Sequence, residues 1–238
     1  DPVGAAEVVA AHRDRPDSAL VGIKVRVGRL ASGDHGIVPL EIALEAAEAT
    51  GLPLMVHIDA PPPPYEAVLE RLRPGDALTH AFRPFPNTPI QGGRVKAAVR
   101  AARERGILFD IGHGMGSFSF DVARAALADG FAPDVISSDV HALSAPGPAV
   151  DLLTTMSKFL ALGLPLAEVV RAATAAPAAA TGRAALGRFE VGARSDVSLL
   201  ALEARETALQ DVVGETLVAP ERLAARGLVA AGRWRDPA

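Results

Sequence analysis

Lys24 stands in the middle of the run Val21-Gly22-Ile23-Lys24-Val25-Arg26-Val27, whose strict alternation reads as a half-buried β-strand. Only three lysines (Lys24, Lys96 and Lys158) occur among 24 Lys and Arg residues, so a mid-strand lysine is not background. A bare ammonium facing a sheet interior must be paired, modified or deprotonated, because burying it alone costs several kcal/mol. Four of the six histidines, His57, His80, His113 and His141, fall at or just beyond the end of a strand-like run, and so does Asp139. Singly, each has an ordinary reading. A strand-end histidine is usually a hydrogen-bonded core residue, Asp139 a cap or turn former, and Lys24 a side chain reaching for solvent. His12 and His35 keep that ordinary reading. Together, two histidines, a lysine and an aspartate on one rim make an oxygen and nitrogen donor set suited to zinc or a similar divalent ion. Lysine joins such a set as its carbamate, formed from CO2 on the neutral amine.

These residues share a rim only if the chain folds around a parallel sheet, and its pattern predicts one. A helix over Ala5–Arg13 precedes the Lys24 strand. Leu40–Thr50 reads as a helix closed by Gly51, and Leu54–Ile58 as a strand. A short helix (Tyr65–Leu72), a strand (Asp76–Phe82), a helix (Arg94–Arg105) and a strand (Ile107–His113) follow. Ser119–Asp129 is a helix and Asp134–Asp139 the fifth strand. Strands separated by helices give a parallel sheet, open or closed, with functional groups at the C-terminal strand ends. Those ends carry Lys24 and Arg26, His57 and Asp59, His80, His113, and Asp139. Helices over Asp151–Leu162 and Pro165–Thr181 come next. Beyond Gly187, short strand-like pieces (Asp196–Leu200, Asp211–Val213, Glu215–Val218, Leu228–Ala231) form a small β subdomain.

Composition excludes several classes. The 238 residues are 49% hydrophobic and 22% charged, with net charge −4 and no basic block, so neither nucleic acid nor an anionic membrane is an expected partner. Aromatic residues make up only 4%, too few for a base-stacking surface. No run of apolar residues is long enough to span a bilayer. The absence of cysteine makes any metal site a histidine and carboxylate site. Lack of a signal peptide favours the cytoplasm, and a homo-oligomer is left open. The chain starts at Asp1, without Met and straight into a helical pattern, and so reads as a segment of a longer protein.

The ordered motifs Gly22-Ile23-Lys24-Val25-Arg26, Met55-Val56-His57-Ile58, Leu78-Thr79-His80-Ala81-Phe82, Asp110-Ile111-Gly112-His113-Gly114 and Ile136-Ser137-Ser138-Asp139-Val140-His141 resemble the amidohydrolase superfamily. The nearest group is its deacetylase and dihydroorotase-like branch. Gly187–Leu200 also resembles the stretch that re-enters that superfamily's small β-sandwich. The resemblance implies an α/β fold, a partial TIM (β/α)8 barrel of strands four to eight over residues 1–186. The C-terminal part of the small β subdomain would occupy 187–238. It departs in one respect: the family's first strand carries a His-x-His pair, and none occurs here.

Carried over by residue, the resemblance implies that Lys24 is carboxylated and bridges two divalent metal ions, zinc by type. His57 and His80 would bind the second metal. Asp139 would bind the first and exchange a proton with a metal-bridging hydroxide. His113 would close on the substrate, and Arg26 is placed to meet a substrate carboxylate, or else to pair with Asp59. The implied activity is metal-dependent hydrolysis of an amide or ester bond in a small acylated amino acid or related substrate. Three alternatives stand beside it: a dihydroorotase-like cyclic amidase, a Schiff-base aldolase built on Lys24, and an inactive assembly subunit or fragment. The aldolase leaves His57, His80 and Asp139 unexplained.

Overall fold

Ile23, Val25 and Val27 pair in parallel register with Leu54, Val56 and Ile58, so the apolar halves of the first two strands land on one face. The opposite face carries Lys24 and Arg26 beside Met55 and His57, and the next strand adds Ala77 and Thr79 in register. The structure is a computed structural model that describes residues 2–13, 19–193 and 196–236. Asp1, and Arg194 and Ser195 of the 187–200 motif, lie outside the described residues.

Four parallel strands, Ile23–Val27, Leu54–Ile58, Ala77–Thr79 and Leu108–Phe109, lie side by side in chain order. Helices alternate with them, as the pattern requires: Val38–Thr50, Tyr65–Arg71 and Ala97–Glu104. Leu54, Val56, Ile58, Leu78 and Phe109 are buried on the apolar face, and Leu40, Ala43 and Ala47 are the buried stripe of the first of these helices. That helix ends at Gly51 in the left-handed region (φ 67°), as a C-terminal glycine should.

Two of these strands are shorter than their sequence runs. The Asp76–Phe82 run keeps ladder geometry only over Ala77–Thr79, because His80 turns into the left-handed region at φ 65°. Pairing resumes beyond the kink, with Ala81 N–H donating to Asp110 O at 3.0 Å. The Ile107–His113 run is regular only over Leu108–Phe109, with Gly112 at φ 47° and Gly114 at φ 51°. The expected strand over Asp134–Asp139 is extended but irregular, and it too ends on a left-handed residue, Asp139 at φ 46°.

The chain divides into two compact units. One comprises Asp1–Asp110 and Ala125–Ala132, the other Ile111–Arg124 and Pro133–Ala238. In the second unit, residues 111–114 run alongside 135–138. Ile111 N–H donates to Val135 O (3.1 Å), His113 N–H to Ser137 O (3.2 Å) and Gly114 N–H to Ser138 O (3.0 Å). The expected helix over 165–181 breaks at Thr174 into Leu166–Ala173 and Ala175–Ala180.

The C-terminal strands form a three-stranded antiparallel sheet (Val197–Glu203, Arg222–Ala230, Arg233–Arg235) and a hairpin (Thr207–Gln210, Thr216–Ala219). The expected strand at Asp211–Val213 is instead a turn. Buried Asp211 accepts the N–H groups of Val213 (3.0 Å) and Glu215 (2.9 Å) on one oxygen and that of Phe120 (3.0 Å) on the other. Among the described residues no helix is long and apolar enough to cross a membrane.

Candidate functional site

In the first unit, strand pairing puts His57 level with Arg26 on one side and Thr79 on the other. His80 leaves its strand one residue later, and its left-handed backbone redirects the ring. A non-glycine residue in that region costs about 1–3 kcal/mol and persists where the surroundings impose it. The two rings meet edge to face at 86°, with His57 Nδ1 and His80 Nε2 2.6 Å apart. Both histidines are buried. On its far side His57 Nε2 lies 3.3 Å from Asp59 Oδ2. Burial holds the His57 pKa below its usual value, helped by the cations of Arg26 and Lys24 and partly offset by Asp59. His57 is therefore neutral at pH 7, the form in which imidazole binds a metal. Lys24 and Arg26 are themselves exposed. Among the described residues no ion pair joins Arg26 to Asp59, whose carboxylate instead serves His57 and two backbone amides.

The donor chemistry fits a divalent ion. Two imidazole nitrogens converge from neighbouring strands, one ring steadied by a carboxylate. Among the described residues no three His, Asp or Glu side chains gather into a ready metal cluster. The histidine pair would need a ligand of another kind, and carboxylated Lys24 is of that kind.

The second unit holds Asp139 and His113. Asp139 is exposed, and its carboxylate rests on Gly114: a Cβ at that glycine would lie 2.8 Å from Asp139 Oδ2. His113 is fully buried, and both its ring nitrogens are used. Nδ1–H donates to Gly114 O (3.0 Å), while Nε2 accepts from Lys158 Nζ (2.6 Å). Its ring stacks on Phe118 at 4.8 Å between centroids. This placement differs from the expected substrate contact, because no ring nitrogen of His113 is left over to meet one. His141 stays at the surface, its Nδ1 accepting from Leu143 N–H at 3.3 Å.

Lys158 is the residue that sequence reading passed over. Its side chain is wholly buried, with Nζ also donating to Pro148 O at 2.6 Å. Burial pushes its pKa down to about 7, and burial followed by the Lys158 charge pushes that of His113 down to about 4. The scarcity of lysine that marks Lys24 marks Lys158 equally, and that was the available signal.

In the unfolded chain Lys158 keeps a proton up to about pH 10.5. Between about pH 7 and 10.5 the unfolded state therefore binds more protons, and stability rises with pH across that window. Denaturant unfolding of the wild type and Lys158→Met at pH 7 and pH 10 should show the wild type gaining on the variant. Parallel pH dependences would contradict it.

Comparison with known proteins gives a consistent set of relatives. A sequence profile of the amidohydrolase family matches residues 115–221. A protein of Enterococcus faecalis named deacetylase is 37% identical over 225 residues, covering 93% of this chain and 61% of that protein. A deacetylase of Brucella anthropi is 40% identical over 185 residues, 77% of this chain and 46% of that protein. Among solved structures, an adenine deaminase superposes with TM-score 0.93 at 33% identity over 100% of this chain and 64% of that one. A dihydroorotase superposes with TM-score 0.90 at 33% identity, covering 99% and 62%. The chain thus spans between 46% and 64% of the length of these relatives.

Proposed function

We propose that the chain is a member of the amidohydrolase family, whose profile matches residues 115–221, and that it carries the metal-binding half-site of a hydrolase cleaving the amide, or ester, bond of a small acylated amino acid. The observation that carries this reading is the His57–His80 pair, two buried imidazoles presenting Nδ1 and Nε2 to one another at 2.6 Å. The four parallel strands are read as part of a (β/α)8 barrel, strands four onward, and the antiparallel C-terminal strands as part of a β-sandwich.

Lys24 as its carbamate, with His57 and His80, would serve as ligands to divalent ions of the zinc type, a role that the family resemblance also gives to Asp139. Such ions, when bound, make water nucleophilic near neutral pH and polarise the scissile carbonyl. Asp139 takes the proton of the attacking water and passes it to the leaving amine or alkoxide. Arg26, exposed on the Lys24 face, binds a carboxylate of the substrate. His113 acts from beneath, holding Gly114 against the Asp139 carboxylate.

Metal analysis of the purified enzyme should find about one or more divalent ions per chain. Chelation should abolish hydrolysis of N-acetyl amino acids, and added Zn2+ should restore it. Activity indifferent to chelators, with well under one ion per chain, would refute the reading. A cyclic-amide substrate is the second reading, favoured by the superposition on a dihydroorotase at TM-score 0.90. Assaying ring opening of a cyclic amide beside deacetylation separates the two.

A further inference from the structure

We propose that Asp59 is a positioning residue that fixes His57 in the Nε2–H tautomer, so that Nδ1 presents its lone pair toward His80. The proposal rests on the reading of His57 as a metal ligand for its purpose, but not for its geometry.

A carboxylate only accepts, so the His57 nitrogen facing Asp59 Oδ2 at 3.3 Å, Nε2, is the one that carries hydrogen. The other nitrogen, Nδ1, is then unprotonated in the neutral ring, and it is the atom 2.6 Å from His80 Nε2. Asp59 can enforce this because it cannot turn away. Its Oδ1 accepts Leu30 N–H and its Oδ2 accepts Ala31 N–H, each at 3.0 Å. Its own carbonyl accepts Arg83 Nη1 (3.2 Å) and Asn87 Nδ2 (2.8 Å), which fixes the backbone on the other side. The residue is 6% exposed, so water does not compete for the carboxylate.

Gly28 completes the cradle. It sits at φ 128° directly under the carboxylate, where a Cβ would lie 2.1 Å from Asp59 Oδ1. The chain therefore brings its backbone closer to this side chain than any other residue type permits. A carboxylate needed only to cap the four-residue helix Arg29–Ser32 would be satisfied by the two amides alone. The third bond, to the imidazole, is what ties Asp59 to the histidine pair.

The test begins with the metal-free wild-type enzyme, 15N-labelled at histidine. Long-range proton–nitrogen correlation should show His57 protonated at Nε2 and bare at Nδ1. Protonation at Nδ1 overturns the proposal outright. In Asp59→Asn the amide offers a donor in place of an oxygen, so His57 should shift toward the Nδ1–H form. Zn2+ titrated alone by calorimetry should then bind about 10–100-fold more weakly, the usual loss for a carboxylate behind a metal-ligating histidine. An unchanged tautomer with unchanged Zn2+ affinity in Asp59→Asn also overturns it. If the wild type shows the Nε2–H form yet takes up no Zn2+, the Asp59 assignment stands and the metal reading of His57 fails.

Discussion

Replacing Lys24 with alanine should lower hydrolysis and metal content together, and a small carboxylic acid in the medium should restore part of both. Lys24 and Arg26 lie on the sheet face of His57, and both cations already depress its basicity. An ammonium at Lys24 would repel a divalent ion held by the histidine pair, whereas the carbamate reverses the sign and supplies two oxygens. The neighbours Ile23 and Val25 point to the opposite, apolar face, so they fix the strand without entering the site. Loss of a partner behind a metal ligand typically costs 10–100-fold, so loss of the ligand itself should cost at least about a hundredfold in kcat/KM. Formate or acetate should be able to occupy the space vacated in Lys24→Ala, but not in a variant that fills it, such as Lys24→Met. Activity within tenfold of wild type in Lys24→Ala, or a free amine at Lys24 by mass analysis of the loaded, active enzyme, ends the carbamate reading.

Asp139→Asn should lower kcat by about 10²–10⁴-fold, the range of a lost general base, with KM little changed. Asparagine is the informative substitution because it tolerates the left-handed backbone that Asp139 adopts at φ 46°. The local fold is therefore retained while the proton acceptor is removed. The carboxylate lies against Gly114, with no side chain between them, and Gly114 O is in turn held by His113 Nδ1–H. Steady-state kinetics, with unfolding midpoints to show that the variant is intact, decide the matter. A kcat within about tenfold of wild type would remove Asp139 from the proton path.

What the sequence made legible is what periodicity controls. The Leu54–Ile58 strand is where alternation and composition place it, and the helix over 38–50 ends at the glycine that predicts its stop. The segregation of Lys24 and Arg26 from Ile23, Val25 and Val27 follows from a repeat of two. Periodicity says nothing of a single backbone reversal, and so the runs through His80 and Asp139 are shorter or less regular than their β-forming residues imply. Nor does it report which histidine nitrogen faces which neighbour. His57 and His80 are 23 residues apart, and Lys158 and His113 are 45 apart. Such pairs are fixed by packing over distance, which is why His113 reads as a rim residue in the sequence and is a buried one in the fold.

The left-handed residues carry a consequence for anyone who tries to improve this protein. Among the described residues, four that are not glycine adopt positive φ, and two of them are His80 and Asp139. Glycine at either position would relieve about 1 kcal/mol or more of backbone strain. Selection for heat resistance alone would therefore act on backbone strain at the two positions proposed for metal binding and proton transfer. A library screened by melting temperature would need a product assay in each round to keep the proposed chemistry under selection.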